Sequence, residues 1–141
     1  MNRTIFASLA GLLAAFLIGY LAYFQQSAGG ENTGFDVTMV DVIVPALGNE
    51  ERGGEAAFNT FCIECHGRNA GGRDGFGPPL VHEIYEPGHH ADISFLYAPK
   101  VGVKAHHWSY GNMPSIPGIT DDETVLVLKY VRALQVANGI Q

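Results

Sequence analysis

The chain has 141 residues, which is enough for one small domain and an extension. Its 8 lysines and arginines are outnumbered by 14 aspartates and glutamates, so the formal net charge is −6 at pH 7. An acidic chain repels the phosphate backbone of nucleic acids, which we therefore exclude as a partner, and favours docking on basic protein surfaces. Only two cysteines are present, Cys62 and Cys65, so a framework of several disulfides is also excluded.

The N-terminal segment at residues 4–24 is apolar and contains no charged side chain. As a helix it would span about 30 Å, the thickness of the hydrocarbon core of a bilayer. Arg3 precedes it and the next basic residue is Arg52, so the positive-inside rule places the remaining chain outside the cytoplasm. We predict a membrane anchor at residues 1–24. A signal peptide cleaved near Ser27-Ala28-Gly29 is the alternative, which we disfavour because the apolar run is too long.

Residues 25–48 follow as a linker or arm with glycines and acidic residues. Within it, residues 37–44 are mostly apolar. This patch is compatible with a short strand or with an extended arm packed on the domain, and the sequence does not separate these two alternatives.

The chemistry is concentrated in Cys62-Ile63-Glu64-Cys65-His66. Two cysteines separated by two residues and followed at once by a histidine are the pattern for covalent haem attachment. Each thiol can add to one vinyl group of the porphyrin, and His66 then falls beneath the iron, which its imidazole can bind. The alternatives are a redox Cys-x-x-Cys and a zinc site. We disfavour them because the chain lacks a βαβ pattern and a second pair of suitably spaced zinc ligands.

A first helix is predicted to lead into this motif from Asn49, whose side chain could cap it. Gly54, Phe58 and Cys62 are spaced by four residues and share one helix face. Because glycine destabilises a helix, Gly54 suggests a close contact with another helix.

A last helix is predicted to begin at the capping box formed by Thr120 and Glu123. An apolar stripe then runs along it through Val125, Leu128, Val131 and Leu134. Gly139 is a plausible stop.

Residues 67–119 contain 9 of the 18 glycines and every proline except Pro45, with little periodicity. A loop-rich segment of this length is unusual in a compact domain unless it packs around a bound group, and a haem would be such a group. Met113, in Tyr110-Gly111-Asn112-Met113-Pro114, is the predicted second axial ligand. A methionine that only fills the core is the simpler alternative.

Five further histidines lie in this segment: His82, His89, His90, His106 and His107. A haem with two histidine ligands is therefore an alternative. The two adjacent pairs could also form an accessory copper or zinc site. Adjacent histidines point in different directions, so we expect each pair to offer at most one ligand easily. Surface or hydrogen-bonding roles are the simpler interpretation.

Together these features resemble the monohaem class I cytochromes c over about residues 49–137. The resemblance rests on Gly54-x-x-x-Phe58-x-x-x-Cys62 and on Gly77-Pro78-Pro79-Leu80, which lies 11 to 14 residues after His66. Met113-Pro114, followed by a helix that carries Tyr130, completes it.

The resemblance implies an all-α, class I cytochrome c-like domain at residues 49–141, wrapped around one covalently bound haem c. It implies that Cys62 and Cys65 attach the haem and that His66 and Met113 are its axial ligands. The Pro78 carbonyl would accept the N–H of His66. With both axial positions filled, the protein would be a one-electron carrier of a respiratory or photosynthetic chain and not an enzyme.

Two alternatives stay open: a haem subunit held permanently in an oxidase or dehydrogenase complex, and a haem protein with an accessory copper-handling histidine cluster. With its anchor, the chain resembles membrane-bound bacterial cytochromes c, which implies the cytoplasmic membrane with the haem domain on the periplasmic side. The expected partners are redox proteins of membrane complexes that have basic docking surfaces. The histidine-rich segment departs from the family. Trp108 and Tyr110 are, by position, candidates for hydrogen bonds to the haem propionates.

Overall fold

The computed structural model describes residues 16–21 and 37–141. The chain divides into two compact units, residues 1–33 and 34–141. In the first unit, residues 16–21 are helical; the rest of the predicted anchor lies outside the described residues. Within the described ranges, no helix combines the length and the apolar character needed to cross a membrane.

Four α-helices lie in residues 37–141: α1 (Asn49–Phe61), α2 (Ile63–His66), α3 (Asp92–Val101) and α4 (Asp121–Ala137). Two short 3₁₀ helices, Arg68–Ala70 and Glu83–Tyr85, lie between α2 and α3. No β-strand occurs in the described part of the chain, which has only two isolated bridges. The helical fold class is confirmed for this part.

Helices α1 and α4 meet at Gly54. A Cβ atom on Gly54 would overlap the carbonyl oxygen of Leu126 and lie 2.8 Å from Cβ of Tyr130. One turn further along α1, the fully buried rings of Phe58 and Tyr130 pack with centroids 5.7 Å apart. The close helix contact predicted from Gly54 is therefore confirmed.

The buried hydrophobic core of this unit is small and comes mainly from α1 and α4. Its members are Ala57, Phe58, Ala70, Val81, Val127, Leu128, Tyr130, Val131 and Leu134. So few side chains leave much of the apolar surface of the two helices for other contacts.

Helix α1 begins at Asn49, as predicted, but Asn49 is not its N-cap. Gly48 is the N-cap, and no side chain caps the helix. Asn49 is instead the first helical residue, and its Oδ1 accepts a hydrogen bond from Nη2 of Arg52 at 2.8 Å. The predicted Asn49 cap is wrong because extended backbone at Gly48 already starts the helix and Arg52 uses the Asn49 side chain.

The predicted capping box of α4 is confirmed. Oγ1 of Thr120 accepts from the backbone N–H of Glu123 at 3.2 Å, and the Glu123 carboxylate accepts from the backbone N–H of Thr120 at 2.8 Å. The bond from the Thr120 N–H, and next a bond that the Thr120 hydroxyl donates to the same carboxylate at 2.8 Å, lower the pKa of Glu123 and keep it charged at the positive end of the helix. Helix α4 ends at Ala137, two residues before Gly139.

Residues 37–48 form an extended arm, which answers the alternative left open by the sequence. The backbone N–H groups of Met39 and Val40 donate to the Gly71 carbonyl at 3.0 and 3.1 Å. Further along, the side chain of Asn138 bonds both the N–H and the carbonyl of Ile43, at 3.0 and 2.9 Å. The arm thus joins the loop after α2 to the end of α4.

Helix α3 lies inside the segment that the sequence indicates as loop-rich, and the pattern does not predict it. Its apolar residues are spread around the axis, with Ile93, Tyr97 and Val101 exposed and Phe95 half-buried. Pro99 lies within its last turn. A helix without a single apolar face, and with a proline, does not produce the amphipathic period.

Replacing Gly54 by alanine tests the helix crossing. We expect Gly54→Ala to lower the free energy of unfolding by about 2 kcal/mol or more, because the new methyl group overlaps backbone atoms of α4. The measurement is urea unfolding.

The matched control is Gly53→Ala. There the new methyl group would meet only the end of the Leu126 side chain, at 3.3 Å, while the helix gains about 1 kcal/mol of propensity. Equal destabilisation by both changes would contradict the assigned contact.

Candidate functional site

A cavity of about 570 Å³ lies between α1, α3, α4 and the loops around residues 78–114. All five residues that the sequence predicts to attach, bind or support a haem line this cavity: Cys62, Cys65, His66, Pro78 and Met113. Residues separated by up to 51 positions are thereby brought to one place. Much of the remaining wall is apolar and includes Phe58, Phe61, Leu80, Phe95, Val127 and Leu128.

The cysteine motif follows directly from the end of α1. Cys62 donates its backbone N–H to the Phe58 carbonyl at 2.8 Å, and its own carbonyl accepts from the backbone N–H of His66 at 2.9 Å. A Cβ atom on Gly77 would lie 2.6 Å from the Cys65 carbonyl oxygen. Glycine at this position therefore lets the loop that carries Pro78 pass directly against the motif.

His66 is buried, and its Nδ1 lies 2.9 Å from the carbonyl oxygen of Pro78. Because a carbonyl oxygen only accepts, Nδ1 carries the hydrogen and Nε2 keeps its lone pair. Burial lowers the pKa of His66, an effect that the bond to Pro78 partly opposes. The result is a neutral imidazole with one nitrogen held and the other available to a metal.

The two thiols do not have the character of a redox pair. Burial, and next the charge of Cys65, raise the pKa of the Cys62 thiol to about 12. Redox Cys-x-x-Cys sites instead lower the pKa of one thiol, so that the thiolate forms near neutral pH. Among the described residues, the motif also does not form a group of three ligand atoms close enough to hold an ion. Both alternatives to haem attachment are thereby disfavoured.

Met113 is held at the cavity by its backbone. The N–H of Val103 donates to the Met113 carbonyl at 2.9 Å, and the N–H of Met113 donates to the Val103 carbonyl at 3.0 Å. The half-buried side chain lines the cavity. This backbone pair closes a loop over residues 103–113 and fixes where the thioether begins.

The rings of Trp108 and Tyr110 are stacked with centroids 6.0 Å apart, but their polar atoms differ in hydrogen bonding. The Tyr110 hydroxyl lies 3.3 Å from Oδ1 of Asp74 and 3.4 Å from Sδ of Met39. Nε1 of Trp108 is buried and has no hydrogen-bond partner in the described residues. Burial raises the pKa of Tyr85, and the nearby Trp108 opposes this rise, although the two side chains do not meet in the geometry of a hydrogen bond from Nε1.

The unpaired Trp108 donor indicates what the cavity holds. An unsatisfied buried N–H costs about 1–3 kcal/mol, so it should meet an acceptor on a bound group. The cavity also presents two thiols, a neutral imidazole and a thioether. These groups fit a covalently attached haem, whose propionates would accept from Trp108.

The histidines of the loop take two positions. His82 lies outside the cavity wall, where its Nδ1 accepts from the N–H of Ile84 at 3.2 Å and its ring meets the edge of Trp108. The remaining four line the cavity: His89, His90, His106 and His107.

The expectation that each adjacent pair offers at most one ligand is wrong for His89 and His90. Both donate their backbone N–H to the Glu86 carbonyl, at 3.0 and 2.8 Å, within a turn. Ligand atoms of His89, His90 and His107 consequently lie within 4.8 Å of one another. Sequence reasoning missed this because the convergence depends on the turn and on a segment 17 residues away.

Comparison with known families agrees with the geometry. The family model described as "Cytochrome c" matches residues 51–135, which is more than half of the chain and includes the whole cysteine motif, Pro78 and Met113. No curated protein and no solved structure gives a significant match.

Replacing Trp108 by phenylalanine tests the unpaired donor. We expect Trp108→Phe to lower the reduction potential of the bound haem, because an uncompensated propionate charge favours the ferric iron. The shift should not exceed roughly 60 mV, which corresponds to a tenfold change for a one-electron couple. Potentiometric titration followed by absorbance measures it.

Tyr110→Phe is the control for this change, because the Tyr110 hydroxyl already contacts Asp74 and Met39. Its effect on the potential should be smaller. An unchanged potential in Trp108→Phe, or equal shifts in both variants, would refute the assignment.

Proposed function

The chain belongs to the cytochrome c family, and from this we propose that it is a one-electron carrier whose haem iron is bound by His66 and Met113. Membership of the family means a covalently attached haem c and haem-based electron transfer. The observation that supports the finer assignment is the convergence of Cys62, Cys65, His66, Pro78 and Met113 on one cavity.

The two proposed ligands are held in different ways. His66 donates Nδ1–H to the Pro78 carbonyl, which fixes its tautomer and ring orientation and makes Nε2 a better donor to a metal. Met113 depends on its backbone pair with Val103. Ligands held in this way move little when the charge of a bound iron changes, which favours rapid electron transfer.

When bound, the haem supplies the Fe(II)/Fe(III) couple. The chain contributes the surroundings of that couple. Apolar walls such as Phe58, Val127 and Leu128 exclude water, and a low local dielectric disfavours the more highly charged ferric state. A thioether ligand acts in the same direction, so both raise the reduction potential. Filling both axial positions leaves no site for a substrate, so we propose a carrier and not an enzyme.

The sequence supports a proposal for the location and the partners of this carrier. We propose that residues 4–24 anchor the protein in the bacterial cytoplasmic membrane, with the haem domain on the periplasmic side. The support is an uncharged segment of spanning length with Arg3 before it. After that segment the chain carries 7 basic and 14 acidic side chains. Basic surfaces on redox proteins of membrane complexes are therefore the proposed docking partners.

Replacing Met113 by alanine tests the ligand set. We expect Met113→Ala to abolish the weak long-wavelength absorption band of methionine-ligated ferric haem. The reduction potential should fall by on the order of 0.1 V or more, since axial ligands tune it over about 0.8 V. Absorption spectroscopy and potentiometry of the purified haem protein measure both effects.

Met39→Ala is the matched control. Met39 is the other methionine of the described residues and is absent from the cavity wall; its sulfur instead contacts the Tyr110 hydroxyl. This variant should keep the band. Survival of the band in Met113→Ala would exclude Met113 as a ligand and favour the bis-histidine alternative.

Membrane fractionation tests the proposed anchor. The full chain should stay with the membranes through alkaline carbonate washing and be released by detergent, because an apolar helix of this length partitions into the bilayer. N-terminal sequencing of the mature protein provides the control. A soluble haem protein that begins near residue 29 would instead establish the cleaved signal peptide.

A further inference from the structure

Four histidines outside the proposed haem ligands gather on the wall of the haem cavity: His89, His90, His106 and His107. The rings surround His107, whose centroid lies 5.1 Å from His89, 5.2 Å from His90 and 4.3 Å from His106. Electron transfer through a haem bound by His66 and Met113 does not need these side chains. Their convergence therefore calls for another role.

Three of the four can place nitrogen atoms around one point. The possible ligand atoms of His89, His90 and His107 lie within 4.8 Å of one another, and the Nε2 atoms of His89 and His107 are 3.2 Å apart. Two imidazole nitrogens on a tetrahedral zinc ion, each about 2.0–2.1 Å from it, are separated by about 3.3 Å. The His89–His107 distance therefore already matches a shared ion.

A hydrogen bond of the His90 ring leaves one of its two nitrogens free to bind a metal. Its Nδ1 lies 2.6 Å from the Ile84 carbonyl oxygen, so Nδ1 carries the hydrogen and Nε2 keeps its lone pair. A backbone acceptor on the second nitrogen is the usual support of a metal-bound histidine. Asp92, the nearest acid in the sequence, does not compete, because its carboxylate accepts from Nε of Arg132 at 2.8 Å.

The two halves of the cluster have separate supports. Arg132 of α4 donates to the carbonyls of Tyr85 and His90 at 2.7 and 2.6 Å, which holds the turn that carries His89 and His90. His107 lies in the 103–113 loop that the Val103–Met113 pair closes. An ion bound by all three histidines would join these two segments at the wall of the cavity.

We propose that His89, His90 and His107 bind one divalent ion of the zinc or copper type at the haem cavity, each through one imidazole nitrogen, with a water completing the site. Three imidazoles suit both metals, and the Irving–Williams order gives copper(II) the higher affinity. The double positive charge beside the cavity stabilises the reduced haem, and the bridge fastens the loop that carries Met113. This site does not depend on Met113 being the axial ligand.

The test is calorimetric titration of the purified haem protein, free of any added histidine tag, with zinc chloride. We expect one ion per chain. His107→Gln and His89→Gln should each lower the affinity more than about 100-fold, because even residues that only support a ligand are worth 10–100-fold. Copper(II) should bind the same site more tightly.

His106→Gln is the matched control. It lies beside His107 in the same loop and is also exposed, but it is not one of the three histidines whose ligand atoms lie within 4.8 Å of one another. The affinity of the His106→Gln protein for zinc should stay within a few-fold of that of the parent protein. The absorption spectrum of each variant reports that the haem domain has folded. His89→Gln serves where His107→Gln does not fold, since His89 is exposed at the turn.

Potentiometry gives an independent readout, because zinc itself does not change oxidation state. Saturating zinc should raise the haem potential of the parent protein and of His106→Gln, and leave that of His107→Gln unchanged. Absence of saturable binding, a stoichiometry other than one, or equal losses in His106→Gln and His107→Gln would overturn the proposed site. If bound zinc leaves the haem potential unchanged, the ion does not lie beside the haem as proposed.

Discussion

The backbone contact between α1 and α4 at Gly54 is the constraint on which the haem domain depends. Because the Leu126 carbonyl occupies the place of a side chain on Gly54, the two helices can approach each other closely at this point. Phe58 follows one turn later and is buried against Tyr130, and Cys62 follows after one more turn. The crossing therefore sets how far the attachment motif lies from α4. The Tyr130 hydroxyl also donates a hydrogen bond to Oδ1 of Asn69 at 3.3 Å, so one residue of α4 contacts the chain on both sides of the motif.

Further along, the same helix holds a segment that has little regular structure of its own. Gln135 is fully buried, and its amide donates to the carbonyls of Leu80 and Tyr85 at 2.7 and 3.1 Å. Arg132 donates to the carbonyls of Tyr85 and His90. Loop carbonyls in a low-dielectric interior need partners, and α4 supplies them as side chains instead of as a sheet or helix. This explains how a domain with so few buried apolar side chains can keep a long loop in place around a cofactor.

Features that depend only on residues close together in the sequence could be predicted from it. The Cys62–His66 motif, the Thr120 capping box and the Gly54 contact depend on spacings of three or four positions, and the structure contains the last two as expected. Features that depend on distant contacts could not. Helix α3 has no single apolar face to reveal it, and the arm at residues 37–48 is fixed by Gly71 and Asn138. The histidine cluster is the clearest case, because no rule of spacing relates a turn at residues 87–90 to a loop that begins at residue 103.

That loop connects the two metal-binding functions that we propose. It begins and ends at the Val103–Met113 backbone pair, and it carries His107 between them. The proposed haem ligand Met113 and the proposed ion ligand His107 therefore lie on the same loop, so the charge of the haem iron acts close to the bound ion. Thermodynamic linkage makes such coupling reciprocal: an ion that favours the reduced haem by some factor must bind the reduced protein more tightly by that same factor. The oxidation state of the carrier would then change the affinity of the histidine site for its ion, by the factor that corresponds to the shift of the haem potential on zinc binding.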